Sequence, residues 1–546
     1  MHRFVTLLLL TILVASSSYS LRSSSPWGLK IAIVGAGPSG ILLAHRLASS
    51  QLPLDQIDIY EYRSDPRDAT RRSSGRGAYA LGLGIRGQTA IRSVDNELLT
   101  AVKRRGLECE RFRLHLTSNI NIKLRDGKDS SVPSILIYQT DLCSALLDEL
   151  ERRAYYEDVV RLHFDTTIAD INLASSTLTL GERDGVDANN VKKGPYDLIV
   201  GCDGANSIVR DAIYAYSPPN TFSFTQRQLL PGCFKVARAD RMPPLLDPGS
   251  VALILPEKKS LGVTAFVEPT IAGGACILFA GRLASSVTES DDKDVNLSSI
   301  LFPNPDVSHV QDIASSLTED IATMTKLIID QFPLLDGMPG LDDIVQQLLS
   351  QRTSVATSVK CNTYNSNSDV TPVAICGDAA HATGGVSGQG ANSALMDTTV
   401  LAECLIQCYV PPSTVSTSVV DEDMSIAKRE LLHQSVSAYS KRAVPEGLAL
   451  YDLSFGNDGK TLPIFRNIQS ILSNIVDTLF GGRLGIGKKT LQTLLSSSLT
   501  SFVEIRRDRE SMYVENFPSD IDFQLYLDRV YSGLVKRRLP RNCKIQ

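Results

Sequence analysis

Residues 30–40 read KIAIVGAGPSG, a short apolar run that passes directly into the pattern G-x-G-x-x-G. An apolar, partly β-branched run of this length reads as a strand buried on both faces. Residues 40–49 continue with helical spacing, and residues 57–60 form a second apolar run. A chain that begins strand, glycine turn, helix, strand is committed to a parallel α/β sheet. Within the turn Gly35 permits the tight bend and Gly37 lets the backbone approach a pyrophosphate. Gly40 lets the helix pack against the strand, and the N-terminus of the helix that starts at Pro38 and Ser39 offers unpaired N–H groups beyond the proline and a positive dipole to phosphate. Glu61 follows Gly40 at the end of the second run, where an acceptor for a ribose hydroxyl belongs. Strand, turn, helix, strand and acid together predict a dinucleotide site.

Two later stretches repeat the strand-then-glycine design. Residues 197–210, DLIVGCDGANSIVR, carry an apolar strand into Asp203-Gly204 and then a helix start capped by Asn206 or Ser207. Residues 372–392, PVAICGDAAHATGGVSGQGAN, deliver Gly377-Asp378 from a strand. A glycine-rich loop follows, and Gly390, Ala391 and Asn392 open another helix. A helix N-terminus there can stabilise negative charge developing on a bound ring.

In this order and at these separations the three stretches resemble the FAD-dependent aromatic hydroxylases, the single-component flavoprotein monooxygenases. The resemblance runs from about residue 29 to 455 and implies one extended FAD. Its ADP half would lie on Gly35–Gly40 and Glu61, its ribityl chain at Asp378, and its ring against Gly388, Gln389, Gly390, Ala391 and Asn392. Asp203 and Gly204 belong to the same implied site, as do Arg63 and Gln139, which stands where the family often has an arginine. The implied reaction uses NADPH or NADH and O2: a flavin C4a-hydroperoxide would hydroxylate a small aromatic substrate. Segments 57–69, 75–95 and 438–454 narrow the likeness to one family member, in which an arginine at the position of Arg86 holds the substrate carboxylate and Asn392 lies near the substrate. Gly385 replaces a family proline, and FGNDG at 455–459 stands where a tyrosine-containing motif is expected. A phenol, quinone-precursor or isoprenoid oxygenase is the alternative, as is a flavin binder without turnover.

Other features bound the picture. Net charge −5 and a pI near 5.9 leave no electrostatic footprint for nucleic acid. The 10 cysteines form no CxxC pair, so no metal site is expected. His381 reads as structural, and Tyr439 and Tyr451 as packing residues. Arg71, Arg72 and Arg76 extend a basic run after Arg63. The expected layout is a Rossmann-type FAD domain interleaved with a β-sheet substrate domain, plus C-terminal helices. Its boundaries are a signal-like or targeting leader (1–28), FAD domain (29–216), β-rich substrate domain (217–351), FAD domain again (352–410) and a mainly helical region (411–546). The leader points to a secretory, plastid or mitochondrial route. The leader and the apolar helices near 472–499 are where membrane contact is to be sought; oligomeric state is left open.

Overall fold

The computed structural model describes residues 26–68, 79–125, 132–153, 158–181, 191–257, 262–281, 297–302, 320–385, 387–412, 421–456, 491–519 and 522–523. The leader (but for its last three residues), Arg71, Arg72, Arg76 and residues 457–490 lie outside them.

Strand β1 (Leu29–Val34) leads into helix α1 (Pro38–Ala48), and β2 (Leu54–Tyr60) returns. Then come β3 (Ala80–Leu83), α2 (Ile85–Arg92), α3 (Asn96–Arg105), β4 (Leu107–Cys109), β5 (Arg111–His115) and β6 (Asn121–Arg125). β7 (Ser134–Tyr138) runs into α4 (Gln139–Arg152), followed by β8 (Val160–His163), β9 (Thr167–Asn172), β10 (Thr177–Gly181) and β11 (Lys192–Lys193). β12 (Leu198–Gly201) precedes α5 (Ile208–Tyr216). The chain continues through β13 (Phe224–Ala239), β14 (Ser250–Ile254), β15 (Thr264–Pro269) and β16 (Ala275–Gly281). It then forms α6 (Asp320–Gln331), α7 (Leu341–Ser350), β17 (Ser354–Cys361) and β18 (Val373–Ile375). The short α8 (Asp378–His381), α9 (Gly390–Cys408), α10 (Asp421–Phe455), α11 (Leu491–Ser497) and α12 (Phe502–Asp508) complete it.

The first sheet has the order β18-β12-β1-β2-β8 with every pair parallel. Its strands are buried on both faces: Ile31, Ala32, Ile33, Leu198, Ile199, Val200, Val373 and Ala374 are all fully buried. That explains why they read as unbroken apolar runs rather than alternating ones. The expected helix starts are in place, and of the two caps considered for α5 it is Ser207 whose side chain accepts the Arg210 N–H.

The second sheet has the order β17-β13-β16-β15-β14-β5-β6. It draws on more of the chain than residues 217–351. β5 pairs parallel with β14, and β17 pairs antiparallel with β13, so two earlier strands and one later strand complete it. One face carries Ala265, Val267, Ile277 and Phe279 against α6 and α7 residues such as Ile328 and Ile344. The other faces the small β3-β7-β4 sheet, with Val236 and Cys276 over Ala80, and Val251 and Phe266 over Leu136. Alternation along each strand makes this division, since successive side chains point to opposite faces. Helix α10 begins at Asp421 and runs without interruption to Phe455. Among the described residues no helix is long and apolar enough to cross a membrane.

Candidate functional site

Strands β1, β12 and β18 are neighbours running the same way, so their C-terminal ends lie side by side. Each delivers one of the three glycine-bearing turns, and this edge is where open α/β sheets bind ligands. The turns touch. Gly35 has φ +104°, and a Cβ there would stand 2.3 Å from the Cys202 carbonyl oxygen and 3.0 Å from the Asp203 nitrogen. Gly377 has φ +62°, and its Cβ would meet Ala394 at 2.8 Å and the Ser39 hydroxyl at 3.3 Å. The first turn therefore abuts the second, and α1 abuts the third. Gly40 holds α1 against its own turn, with a Cβ position only 2.0 Å from the Gly35 carbonyl oxygen.

Glu61 is buried and braces the first turn: its carboxylate accepts the Ala36 N–H at 3.0 Å and the Arg63 N–H at 2.9 Å. The Arg63 guanidinium is exposed and donates to the Tyr62 hydroxyl at 2.8 Å. Gln139 opens α4 and donates its backbone N–H to the Tyr79 carbonyl. Tyr79 has 37% of its surface exposed. The protein walls around it, and then the Asp378 charge, push its phenol up to about 12, with Arg63 opposing. Arg63, just after β2, and Asp378 of the third turn thus act on one phenol. Asp203 accepts the Ile208 and Val209 N–H groups on one oxygen, at 2.8 and 3.3 Å. Its other oxygen is buried without a partner, and burial holds the carboxyl above its ordinary range.

Dinucleotide FAD fits this arrangement. Buried acceptors without partners, the Asp203, Thr383 and Gln389 side-chain oxygens, recur along the cleft. At Gly37, Gly204, Gly385 and Gly388 a Cβ would meet nothing within 4 Å, so backbone lies bare to open space. Helices α1 and α9 begin without side-chain caps at Gly37 and Gln389, which leaves their first N–H groups available to a ligand.

Three residues prove to be braces. His381 is buried and its Nε2–H donates to Asp397 at 2.6 Å, while the same carboxylate oxygen accepts the Gly377 N–H at 2.9 Å. Burial opposes a charge on His381, but the Asp397 charge and hydrogen bond outweigh it and hold the imidazole above its ordinary value. This pair therefore contributes stability below the usual histidine range and loses it as pH rises through the raised value. Asp397→Asn is expected to cost about 3 kcal/mol at neutral pH and to flatten that dependence, which thermal melts across pH will show.

Asn392 is 1% exposed, and its amide is fully engaged. The oxygen accepts from Gly84 N–H at 2.8 Å and Gly87 N–H at 3.3 Å; the nitrogen donates to the Gly82 and Gly388 carbonyls. It clasps α2 to the start of α9. Arg86, the second residue of α2, is 4% exposed. Its guanidinium donates to the Leu495 and Thr500 carbonyls and lies 4.4 Å from the Phe502 ring centre. Both side chains are engaged by the protein, Arg86 by main-chain carbonyls of the C-terminal segment and Asn392 by the glycines around it. Arg86→Met should release that segment at a cost of about 2–4 kcal/mol, read as a lower melting midpoint and faster proteolysis near residues 494–502.

Between the second sheet and the α9 start lies a cavity of about 550 Å³ including its mouth. Gln389 and Gly388 line it from the third turn, Phe112, Phe266 and Glu268 from the sheet, and Ser496 from α11. Phe112 and Phe266 meet edge to face at 5.7 Å. None of these sheet residues was marked by sequence reasoning. The available signal was that Glu268 shares the parity of Phe266 along β15, which becomes informative only once both faces are known to be covered.

No protein-family model matches the chain. It is 27% identical to kynurenine 3-monooxygenase of Salinispora tropica over 380 residues, 69% of this chain and 72% of that one. It is 26% identical to kynurenine 3-monooxygenase acdD of Aspergillus candidus, across 87% of each chain. The chain is related to the FAD-dependent aromatic hydroxylases. Segments 57–69, 75–95 and 438–454 are those that resemble kynurenine 3-monooxygenase. Violacein synthase of Chromobacterium violaceum is 25% identical, across 68% of this chain and 76% of that one. In fold, it superposes on 2-methyl-3-hydroxypyridine-5-carboxylic acid oxygenase with a TM-score of 0.52 at 17% identity, covering 78% of this chain and 90% of the other.

Proposed function

We propose that this chain binds FAD across its three turns and, with NADPH or NADH and O2, hydroxylates an aromatic substrate in the manner of its kynurenine 3-monooxygenase relatives. The observation that carries the reading is the convergence of Gly35, Asp203-Gly204 and Gly377-Asp378 at one sheet edge beside an aromatic-lined cavity. Bound FAD would supply the hard chemistry, taking electrons from the nicotinamide and activating O2; one oxygen atom enters the ring and the other leaves as water. The chain's own work is placement. Gly37 and Ser39 present N–H groups and the helix starting at Pro38 a dipole to the pyrophosphate, and Glu61 fixes the first turn and faces the ribose. Asp378 takes the ribityl hydroxyls. Gly388, Gln389, Gly390 and Ala391 hold the α9 N-terminus toward the ring, where its dipole favours negative charge.

A second reading concerns the substrate. Arg86 is already held by the Leu495 and Thr500 carbonyls, which favours a phenolic, quinone-precursor or isoprenoid substrate lacking the kynurenine carboxylate. The test is nicotinamide consumption by FAD-loaded protein in air, with and without L-kynurenine. Strong stimulation with a hydroxylated product supports the kynurenine reading; FAD retained without stimulation moves the assignment to the second. NADPH failing to reduce the flavin at all would instead fit a binder without turnover.

A further inference from the structure

The cavity contains one group that its surroundings do not explain. On β15, Ala265 and Val267 point into the apolar core beneath α6 and α7, while Phe266 and Glu268 point the other way, toward the cavity. Glu268 is 9% exposed. Among the described residues it has neither a hydrogen-bond nor an ion-pair partner, although buried carboxyls ordinarily have one. Across the cavity the Gln389 side-chain oxygen is 3% exposed by residue and likewise has no partner. A carboxylate and an amide oxygen thus face one aromatic-lined space, while the Arg111 and Arg125 guanidiniums in its wall are engaged with Asp247 and Ser134. Such a space selects a ring that brings its own donors.

We propose that Glu268 is the substrate-selecting acceptor of this cavity, taking a hydrogen bond from an amine or hydroxyl group carried by the aromatic substrate. The inference rests on the flavin monooxygenase reading, since it assumes that this cavity presents the ring to FAD. It makes Glu268 a substrate-recognition residue supplied by the second sheet rather than by the glycine turns.

The surroundings allow the carboxyl to titrate near neutrality. Burial alone pushes it up to about 7. The titratable groups beside it remain protonated there: burial and then the Glu268 charge push the Cys276 thiol on β16 up to about 12, and burial raises the Tyr138 phenol on β7 further. The cations nearby are engaged elsewhere. Arg238 of β13 lies over the Tyr138 ring at 3.9 Å, Arg111 of β5 pairs with Asp247 at 2.6 Å, and Arg125 of β6 donates to the Ser134 hydroxyl at 2.7 Å. Below its titration Glu268 gains a donor and keeps a weaker acceptor, so preference for donor-bearing rings should strengthen as pH rises through about 7.

The test uses the FAD-loaded full chain and three probes, 2-aminoacetophenone, 2-hydroxyacetophenone and acetophenone, with binding read from perturbation of the flavin spectrum. The wild type is expected to bind the amino and hydroxy probes about tenfold more tightly than acetophenone, the worth of one net hydrogen bond, with the margin widening from acid to alkaline pH. In Glu268→Leu the margin should vanish. The near-isosteric Glu268→Gln, which guards against a folding failure, should keep part of it and lose the pH dependence. Equal binding of all three probes, no binding of the donor-bearing pair while FAD is held, or an undiminished margin in Glu268→Leu would overturn the proposal. Wild-type protein that holds no FAD would instead sink the monooxygenase reading, so the two failures are distinguishable.

Discussion

Gly35→Ala is expected to yield protein that retains no FAD and melts well below the wild type. The backbone at φ +104° is a conformation that a side chain disfavours, and the new Cβ would stand 2.3 Å from the Cys202 carbonyl oxygen. Strain of the first kind costs about 1–3 kcal/mol and overlap with fixed backbone about 1–3 kcal/mol more. Neither can relax locally. Cys202 directly follows β12, which is registered against β1 through four residue pairs, Ile31 with Leu198 to Val34 with Gly201. Pushing Cys202 away also displaces Asp203, whose carboxylate holds the start of α5. One methyl group therefore separates the first two turns that the dinucleotide must bridge. Flavin-to-protein ratio and melting midpoint together check this; a variant with full FAD content would show that the turns need not abut. Gly273→Ala, where φ is +78° but a Cβ meets nothing within 4 Å, is the control for strain alone.

The second large effect is a pH-dependent gain in Glu268→Gln. The carboxyl rises from 4.5 to about 7 on folding. Between those values the folded state holds a proton that the unfolded state has released, so stability falls as pH rises through the window. At 1.36 kcal/mol per pH unit, the wild type gives up about 3 kcal/mol by the upper end. Glutamine cannot ionise. The variant should thus match the wild type near pH 4.5 and exceed it by about 3 kcal/mol above pH 7. Denaturation midpoints on both sides of the window decide this. A constant difference across pH would mean that Glu268 has a partner that carries its charge.

Much of the edge where the three turns meet was legible in the chain. The three strand–turn junctions could be read because buried parallel strands are continuous apolar runs, and because a turn that backbone or phosphate must approach closely leaves glycine as its mark. Glu61 was legible from its distance to Gly40. What stayed hidden was long-range pairing. Nothing local told that β5 and β6 would join β14, or that the second sheet would close at β17. The substrate side was illegible for the same reason: Glu268 lies in TAFVEP, a stretch that would put a glutamate into solvent in any sheet with one bare face. Arg86 and Asn392 illustrate the converse. Their family positions pointed to substrate, whereas their side chains here secure α2 to Leu495, Thr500 and the start of α9. That role depends on residues some three to four hundred positions away in sequence.

The central claim is that one FAD spans the three turns and transfers oxygen to a ring in the cavity between Gln389 and Glu268. The most direct measurement supplies the FAD-loaded protein with NADPH, isotopically labelled O2 and an aromatic amine, 2-aminoacetophenone or L-kynurenine, and weighs the aromatic product. The account predicts a product bearing one labelled oxygen atom, formed only when flavin and NADPH are both present. NADPH consumed with all of the labelled oxygen recovered as peroxide or water, and neither ring modified, would contradict it.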